Sequence, residues 1–305
     1  MLEEFRAQLA ERGYQGRIVS IQHLVDLQEE FDGHLSGGLL DRELYQTYLA
    51  GFRFSPPENL QGTRSMIVVA VPQPKLQVTF SWNGEPLRCI VPPTYPEGRT
   101  DERVWGFLRQ VLAPGGYRVA EAALPRKLLA VRSGLAAYGK NNVSYVPGMG
   151  SLYSLVVVYS DLPAPANGWR EPVMMDACQN CTACRRHCPA GAISTDRFLL
   201  HAERCLTFHN EKPGDVPFAA WIDPAWHNCL VGCLHCQRVC PENRAVWPWV
   251  EEGAEFSEEE TALLLEGVPV EQLPAVTAQK MESLGMEAYA DTLPRNLQAL
   301  YSQWC

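Results

Sequence analysis

The sequence predicts an α+β chain in three parts: an α/β domain over residues 1–170, a metal-organised domain over 171–250 and a short helical tail over 251–305. Three observations carry this reading. Apolar, strand-like runs alternate with helical periodicity through the first 170 residues. Nine of the eleven cysteines fall between Cys178 and Cys240. Beyond Phe256 the pattern turns acidic and helical. A chain of 305 residues is long enough to bury a full apolar core.

The elements follow in order. An amphipathic helix is expected over residues 1–24 through Leu2, Phe5 and Leu9, with Ile18 beyond a glycine break, and "VDLQEEF" adds an acidic helical or turn segment. "MIVVAV" (66–71) is a buried strand ended by Pro72, and the alternating "LQVTFSW" is read as pairing beside it. A proline-rich loop, "RCIVPPTYPEG", leads into a helix from Asp101 to Leu112 that buries Val104, Phe107, Leu108 and Val111 and closes at two glycines. A second helix is expected from Pro125 through Tyr138, followed by the strand "SLYSLVVVYSDLP". In the tail, Ser257 and Glu260 form a capping box ahead of Leu263, Leu264 and Leu265, and "LPRNLQALYSQW" gives a last helix.

Lys plus Arg number 26 against 35 Asp plus Glu, a formal charge of -9. That balance argues against a long nucleic-acid partner, because phosphate neutralisation supplies most non-specific affinity. No run approaches the ~20 apolar residues of a membrane span. The start "MLEEFRAQLAERGYQG" lacks the basic and apolar regions of an export signal, so a cytoplasmic location and no membrane partner are expected. Neither a GxGxxG turn nor a GxxxxGK[ST] loop is present.

The cysteines hold the strongest signal. Cys178, Cys181, Cys184 and Cys188 precede Pro189 with gaps of two, two and three residues, and Cys233, Cys236 and Cys240 precede Pro241. Structural zinc would be satisfied by two CxxC pairs. The C-x2-C-x2-C-x3-C-P run is instead the pattern of two-cluster ferredoxins, whose fourth cysteine crosses to the other cube. Two [4Fe–4S] clusters follow, one on Cys178, Cys181, Cys184 and Cys240, the other on Cys188, Cys233, Cys236 and a further ligand. That ligand is Cys205 or Cys229, with Cys205 favoured. Cys89 and Cys305 stand outside the set. Two neighbouring cubes form an electron wire, which needs an external low-potential electron donor and an acceptor.

The segments "LLAVRSGLAAYGKNN", "GMGSLYSLVVVYSDLP", "CPAGAI", "HAERCLTF" and "VGCLHCQRVCPENR", in this order, resemble the epoxyqueuosine reductase family over about residues 50–300. The resemblance implies an α/β corrinoid-binding-like domain, a two-cluster ferredoxin-like domain feeding the corrinoid, and a C-terminal helical module that helps hold a tRNA. It aligns Arg204 and Cys205 with the family's cysteine-containing segment, supporting Cys205 as the fourth ligand. It also lays Gly134, Gly139, Lys140 and Asn141 against a cobalamin or related corrinoid.

Departures from the family pattern accompany the likeness. Where the family carries a catalytic Asp before a proline, this chain reads "RVAEAALP", leaving Glu121 as the nearest acid; where the family carries a tyrosine-containing segment, Tyr95 is the only similar group. The tail is read as shorter than the family's. The reading is therefore a divergent, C-terminally short relative: an iron–sulfur reductase of an unidentified substrate, with Glu121 or Tyr95 as proton donor. The charge balance and altered segments disfavour tRNA. The competing reading is an electron-transfer protein serving a separate corrinoid protein or enzyme, without turnover of its own.

Overall fold

The computed structural model describes residues 2–166 and 168–302; Cys305 lies outside the described residues. The strands are β1 (Gln15–Ser20), β2 (Ser65–Pro72), β3 (Lys75–Trp82), β4 (Glu85–Val91), β5 (Val119–Glu121), β6 (Ala137–Tyr138), β7 (Ser144–Tyr145), β8 (Tyr153–Ser160) and β9 (Val250–Phe256). The chain forms two compact units, one of Met1–Pro72 with Gly98–Cys181, the other of Gln73–Glu97 with Thr182–Cys305. These boundaries differ from 1–170, 171–250 and 251–305. Residues 73–97 leave the first unit, and the tail packs in the same unit as most of the cysteines.

The first unit is built on a sheet of order β1-β2-β8-β5 in which every neighbouring pair is antiparallel. All eight residues of β8 are buried, which fits a continuous apolar strand covered on both faces. On one face Ile67, Val69, Val156 and Val158 meet Phe5 and Leu9 from the helix Leu2–Glu11 and Val104, Phe107 and Leu108 from the helix Glu97–Leu112. On the other, Met66, Val68, Leu155 and Val157 meet Leu128, Leu129 and Val131 of the helix Arg126–Arg132.

Local chemistry explains two departures from the expected elements. Gly13, at φ +72°, stops the first helix, so Ile18 reaches the core from β1 instead of a helix face. The helix expected through Tyr138 ends at Arg132, ahead of Gly134 at φ +66°, and Tyr138 instead lies in β6, paired with β7. The left-handed region is where a glycine is tolerated and most residues are not.

In the second unit the sheet order is β4-β3-β9, with β3 antiparallel to β4 and parallel to β9. β3 therefore does not continue the β2 ladder. Pro72 and Pro74 bracket the junction, and prolines cannot donate to a ladder. β9 was invisible in the pattern because "VEEGAEF" is acidic; its one fully buried side chain, Phe256, stacks on Phe80 with ring centroids 4.9 Å apart. Helices Glu258–Leu265, Ala275–Leu284 and Leu293–Tyr301 complete this core through Leu264, Met281, Leu284, Leu293 and Leu297. The capping box is formed: the Ser257 N–H donates to Glu260 Oε2 at 2.8 Å and the Glu260 N–H to Ser257 Oγ at 3.3 Å.

Between Thr182 and Trp249 the longest regular element is the six-residue helix Leu206–Glu211. Such a segment must find backbone partners elsewhere. The helix Leu293–Tyr301 supplies them. The Arg295 guanidinium donates to the carbonyls of Asn210, Lys212, Pro213 and Val216, and Asn296 Nδ2 donates to Asn210 O and Leu230 O, both at 3.0 Å. Replacing fully buried Asn296 by Leu strands the Leu230 carbonyl, while that of Asn210 keeps Arg295, and a loss of about 1–3 kcal/mol is expected. Urea unfolding of the cluster-loaded protein should show the shift, whereas an unchanged midpoint would mean that the irregular segment holds itself.

Candidate functional site

The cysteines of the second motif and their partners lie within the second unit. Cys188 ends the run after the turn Ala183–Arg186, and its Sγ accepts the Ala192 N–H at 3.3 Å. Cys205 stands immediately before the helix Leu206–Glu211 and accepts from the backbone N–H groups of Thr207 and Phe208. Cys233 accepts from the His235 N–H. Burial pushes the Cys205 and Cys233 thiols up, and Cys188 adds to the rise at Cys205 as Cys229, Cys205 and Cys188 do at Cys233. Cys236 lies in the next turn, His235–Arg238.

Cys229 has different neighbours. It is 1% exposed, beside Cys89, and its thiol is pushed up first by burial and then by Cys89. Among the cluster cysteines it perturbs Cys233, but the causes acting on Cys205 include Cys188 and not Cys229. Cys89 packs with Leu87, Val91, Leu230 and Val231 in the apolar core, where burial pushes its thiol up to about 12. Lys75, the nearby cation, donates to Trp247 O at 2.5 Å and stands 3.9 Å from the centroid of the Trp247 ring.

Of the first motif, Cys178 and Cys181 belong to the first unit, Cys184 and Cys240 to the second. Cys178 ends the turn Asp176–Cys178, and the Cys181 N–H donates to its carbonyl at 3.2 Å. Among the described residues no three His, Cys, Asp or Glu side chains stand as ligands of one ion. A cube does not require that, since each of its irons takes one thiolate. Backbone N–H donors directed at sulfur stabilise the anionic form that binds iron, so the Cys188, Cys205 and Cys233 set suits such a group. The nearby histidines are held by backbone: His187 Nδ1 with Ala183 O, His209 Nε2 with Glu203 O and His235 Nε2 with Trp226 O, each at 2.9 Å.

The glycine–lysine segment of the first unit is closely packed. A Cβ on Gly134 would lie 2.0 Å from the Arg170 guanidinium carbon, and one on Gly139 would lie 2.6 Å from Asn141 Oδ1. Lys140 Nζ donates to Gln179 O at 2.9 Å and Cys181 O at 3.0 Å, tying this segment to the first cysteine loop. Asn141 Nδ2 donates to the Tyr145 hydroxyl at 2.9 Å. The unspent donor in this turn belongs to Asn142: at φ +59° and 7% exposed, its Nδ2 has no partner, while its Oδ1 accepts from Lys127. Only the tertiary packing reveals it.

Glu121 is exposed at the end of β5 and lines an open cavity of about 640 Å³ with Arg53, Trp105, Arg109 and Tyr159. The Trp105 indole N–H, also on this cavity, is buried without a partner. Tyr95 lies in the second unit, its hydroxyl donating to Glu211 and its ring edge-on to Tyr289. Burial, then Glu211, holds the Tyr95 phenol well above its usual pKa. Gly232 allows Tyr95 this place, since a Cβ there would stand 2.3 Å from the hydroxyl.

Fold and cysteines together define a protein with a double iron–sulfur cluster domain, and residues 177–243 match the family model described as a 4Fe-4S double cluster binding domain. In sequence the chain is similar to epoxyqueuosine reductases. It is 33% identical over 141 residues to the epoxyqueuosine reductase of Pseudomonas aeruginosa, covering 45% of this chain and 37% of that protein. It is 31% identical over 215 residues to that of Alicycliphilus denitrificans, covering 64% of this chain and 57% of the relative. The matched region thus spans about a third of the length of the first of these. The fold of the epoxyqueuosine reductase from Streptococcus thermophilus superposes with a TM-score of 0.66 at 18% identity, covering 99% of this chain and 81% of that one.

One expectation is overturned. An epoxyqueuosine reductase crystallised with an epoxyqueuosine-modified tRNA-Tyr stem loop shares the fold, with a TM-score of 0.62 and 20% identity over 95% of this chain and 77% of that one. Net charge does not disfavour tRNA here, because it sums over the whole surface while phosphate contacts are local.

For the ligand choice, Cys205→Ala should lose about four irons from a total of about eight, and Cys229→Ala should keep them all. Iron and sulfide analysis of anaerobically purified variants decides, and the reverse pattern would assign the ligand to Cys229.

Proposed function

We propose that the chain is an iron–sulfur-dependent reductase that passes electrons through two [4Fe–4S] clusters to a bound corrinoid and acts on an epoxyqueuosine-type nucleoside carried in tRNA. The observation that carries the reading is the cysteine set, with backbone N–H groups directed at Cys188, Cys205 and Cys233. The likeness to epoxyqueuosine reductases in sequence and fold supports the substrate class. In this reading Cys178, Cys181, Cys184 and Cys240 hold one cube, and Cys188, Cys205, Cys233 and Cys236 the other.

A corrinoid supplies the low-potential reducing centre that touches the substrate. For this chain's residues, Lys140 fastens the turn around Gly139 to the first cysteine loop, and Asn142 Nδ2 is the amide donor left for an amide-rich rim. Of the two proton-donor candidates, Glu121 is the better placed. It is solvent-facing in a cavity able to admit a ligand, whereas Tyr95 is engaged with Glu211 and releases its proton only at high cost.

Anaerobic purification after growth with cobalamin should yield about eight irons and near-stoichiometric cobalt per chain. Asn142→Leu should lower cobalt retention while leaving iron unchanged. Full iron with no cobalt, even after reconstitution, would sink the corrinoid reading and leave an electron carrier. With an epoxyqueuosine-bearing tRNA stem loop as substrate, Glu121→Gln should slow turnover by about a hundredfold or more at unchanged metal content. Undiminished turnover would reject Glu121 as the acid.

A further inference from the structure

The first unit contains a concentration of positive charge that the proposed chemistry does not use. A small pocket of about 150 Å³ is lined by Arg6 from the helix Leu2–Glu11, Arg17 from β1 and Arg170 from the segment after β8, together with Ser133 and the apolar side chains of Phe5 and Ile18. Among the described residues no carboxylate lines it.

The three guanidiniums form no ion pair among the described residues. Arg17 spends one N–H on its neighbour, the Gly16 carbonyl, at 2.9 Å. Glu171, adjacent to Arg170 in sequence, pairs with Arg132, which also pairs with Glu30. Arg132 also holds Arg170 from both sides of its backbone, accepting the Arg170 N–H at 2.9 Å and donating to the Arg170 carbonyl at 3.4 Å. The Arg170 side chain lies over Gly134, in space that any Cβ there would occupy.

Arg17 shows the strain of this arrangement, its pKa lowered first by burial and then by Arg6 and Arg170. Like charges gathered around a partly enclosed volume raise the energy of the folded protein unless an anion joins them. Guanidiniums present planar pairs of N–H donors that match the oxygens of a phosphoryl group, and several such donors on one group are stronger than neutral hydrogen bonds.

We propose that Arg6, Arg17 and Arg170 form a binding site for a phosphoryl anion. The anion is a free phosphate or phosphomonoester, or a backbone phosphate of a bound nucleic acid; the chemistry is shared and the source is decided by experiment. The site is distinct from the Glu121 cavity and from the cysteines, and it does not depend on the proposed reaction.

Two probes on anaerobic, cluster-loaded protein test it: inorganic phosphate and an unmodified tRNA anticodon stem loop. Calorimetric titration of the wild type is compared with Arg17→Gln and Arg170→Gln. Exposed Arg170 can be changed without opening the core, and iron content and circular dichroism report folding. Saturable phosphate binding that weakens about tenfold or more in both variants supports a free-anion site. Stem-loop binding that weakens similarly, with no response to phosphate alone, supports a backbone phosphate.

A melting experiment reads the same site without relying on one variant. At constant ionic strength, exchanging chloride for the bound probe should raise the wild-type melting temperature, and the rise should vanish in Arg170→Gln. If neither probe binds, or if binding is the same in wild type and both variants, the proposal is overturned.

Discussion

A segment of nearly seventy residues with little helix or strand must satisfy its backbone without a ladder of its own, and the second unit depends on how this is done. The helix Leu293–Tyr301 performs much of it. Arg295 gathers four carbonyls from residues 210–216, while Asn296 joins Asn210 to Leu230, three residues before Cys233. The arginine is itself placed over the Phe218 ring at 4.5 Å. The apolar core of β3, β4 and β9 fixes the helix through Leu293, Leu297 and Leu300, so position is transmitted from an ordinary core to irregular chain. Tail and cysteine segment consequently form one structural unit and do not divide at residue 250.

The legible part of the molecule was the part in which residue type alone carries the constraint. Cysteine spacing revealed the cluster motifs, and Ser257 with Glu260 revealed a helix start, because both depend on neighbours close in sequence. β9 was hidden since its place comes from parallel pairing with β3 and from one buried aromatic, Phe256, amid acids that face outward. Ile18 was assigned to the right core by the wrong element: its apolarity was informative, but Gly13 had already ended the helix. Unpaired donors such as Asn142 Nδ2 and Trp105 Nε1 have no sequence signature at all, because an absent partner is a property of packing.

Charge shows the same distinction between sums and places. The whole chain carries -9, yet Arg6, Arg17 and Arg170 line one pocket in which no carboxylate among the described residues answers them. Glu171, the acid adjacent to Arg170 in sequence, is taken by Arg132. An acidic chain can therefore maintain a local site for anions, provided that another cation sequesters the neighbouring acids. The inference from net charge to nucleic-acid avoidance fails at this step, since Coulomb attraction is screened within roughly 10 Å at moderate salt.

Lys75 extends that logic to the second unit. The residue is 5% exposed, and its ammonium is met by a carbonyl and an aromatic face, both from Trp247, not by a carboxylate. Carbonyls and rings solvate a cation without cancelling its charge, so the positive field persists around its neighbours. Lys75 pulls the Cys229 thiol down, whereas Cys229 pushes that of Cys233 up. Burial alone favours neutral thiols at these positions, while iron binding requires thiolates. Lys75 opposes the burial effect at Cys229, and backbone N–H groups oppose it at Cys205 and Cys233. The cluster cysteines are thus prepared for negative charge chiefly from within their own segment, by backbone N–H groups of Ala192, Thr207, Phe208 and His235.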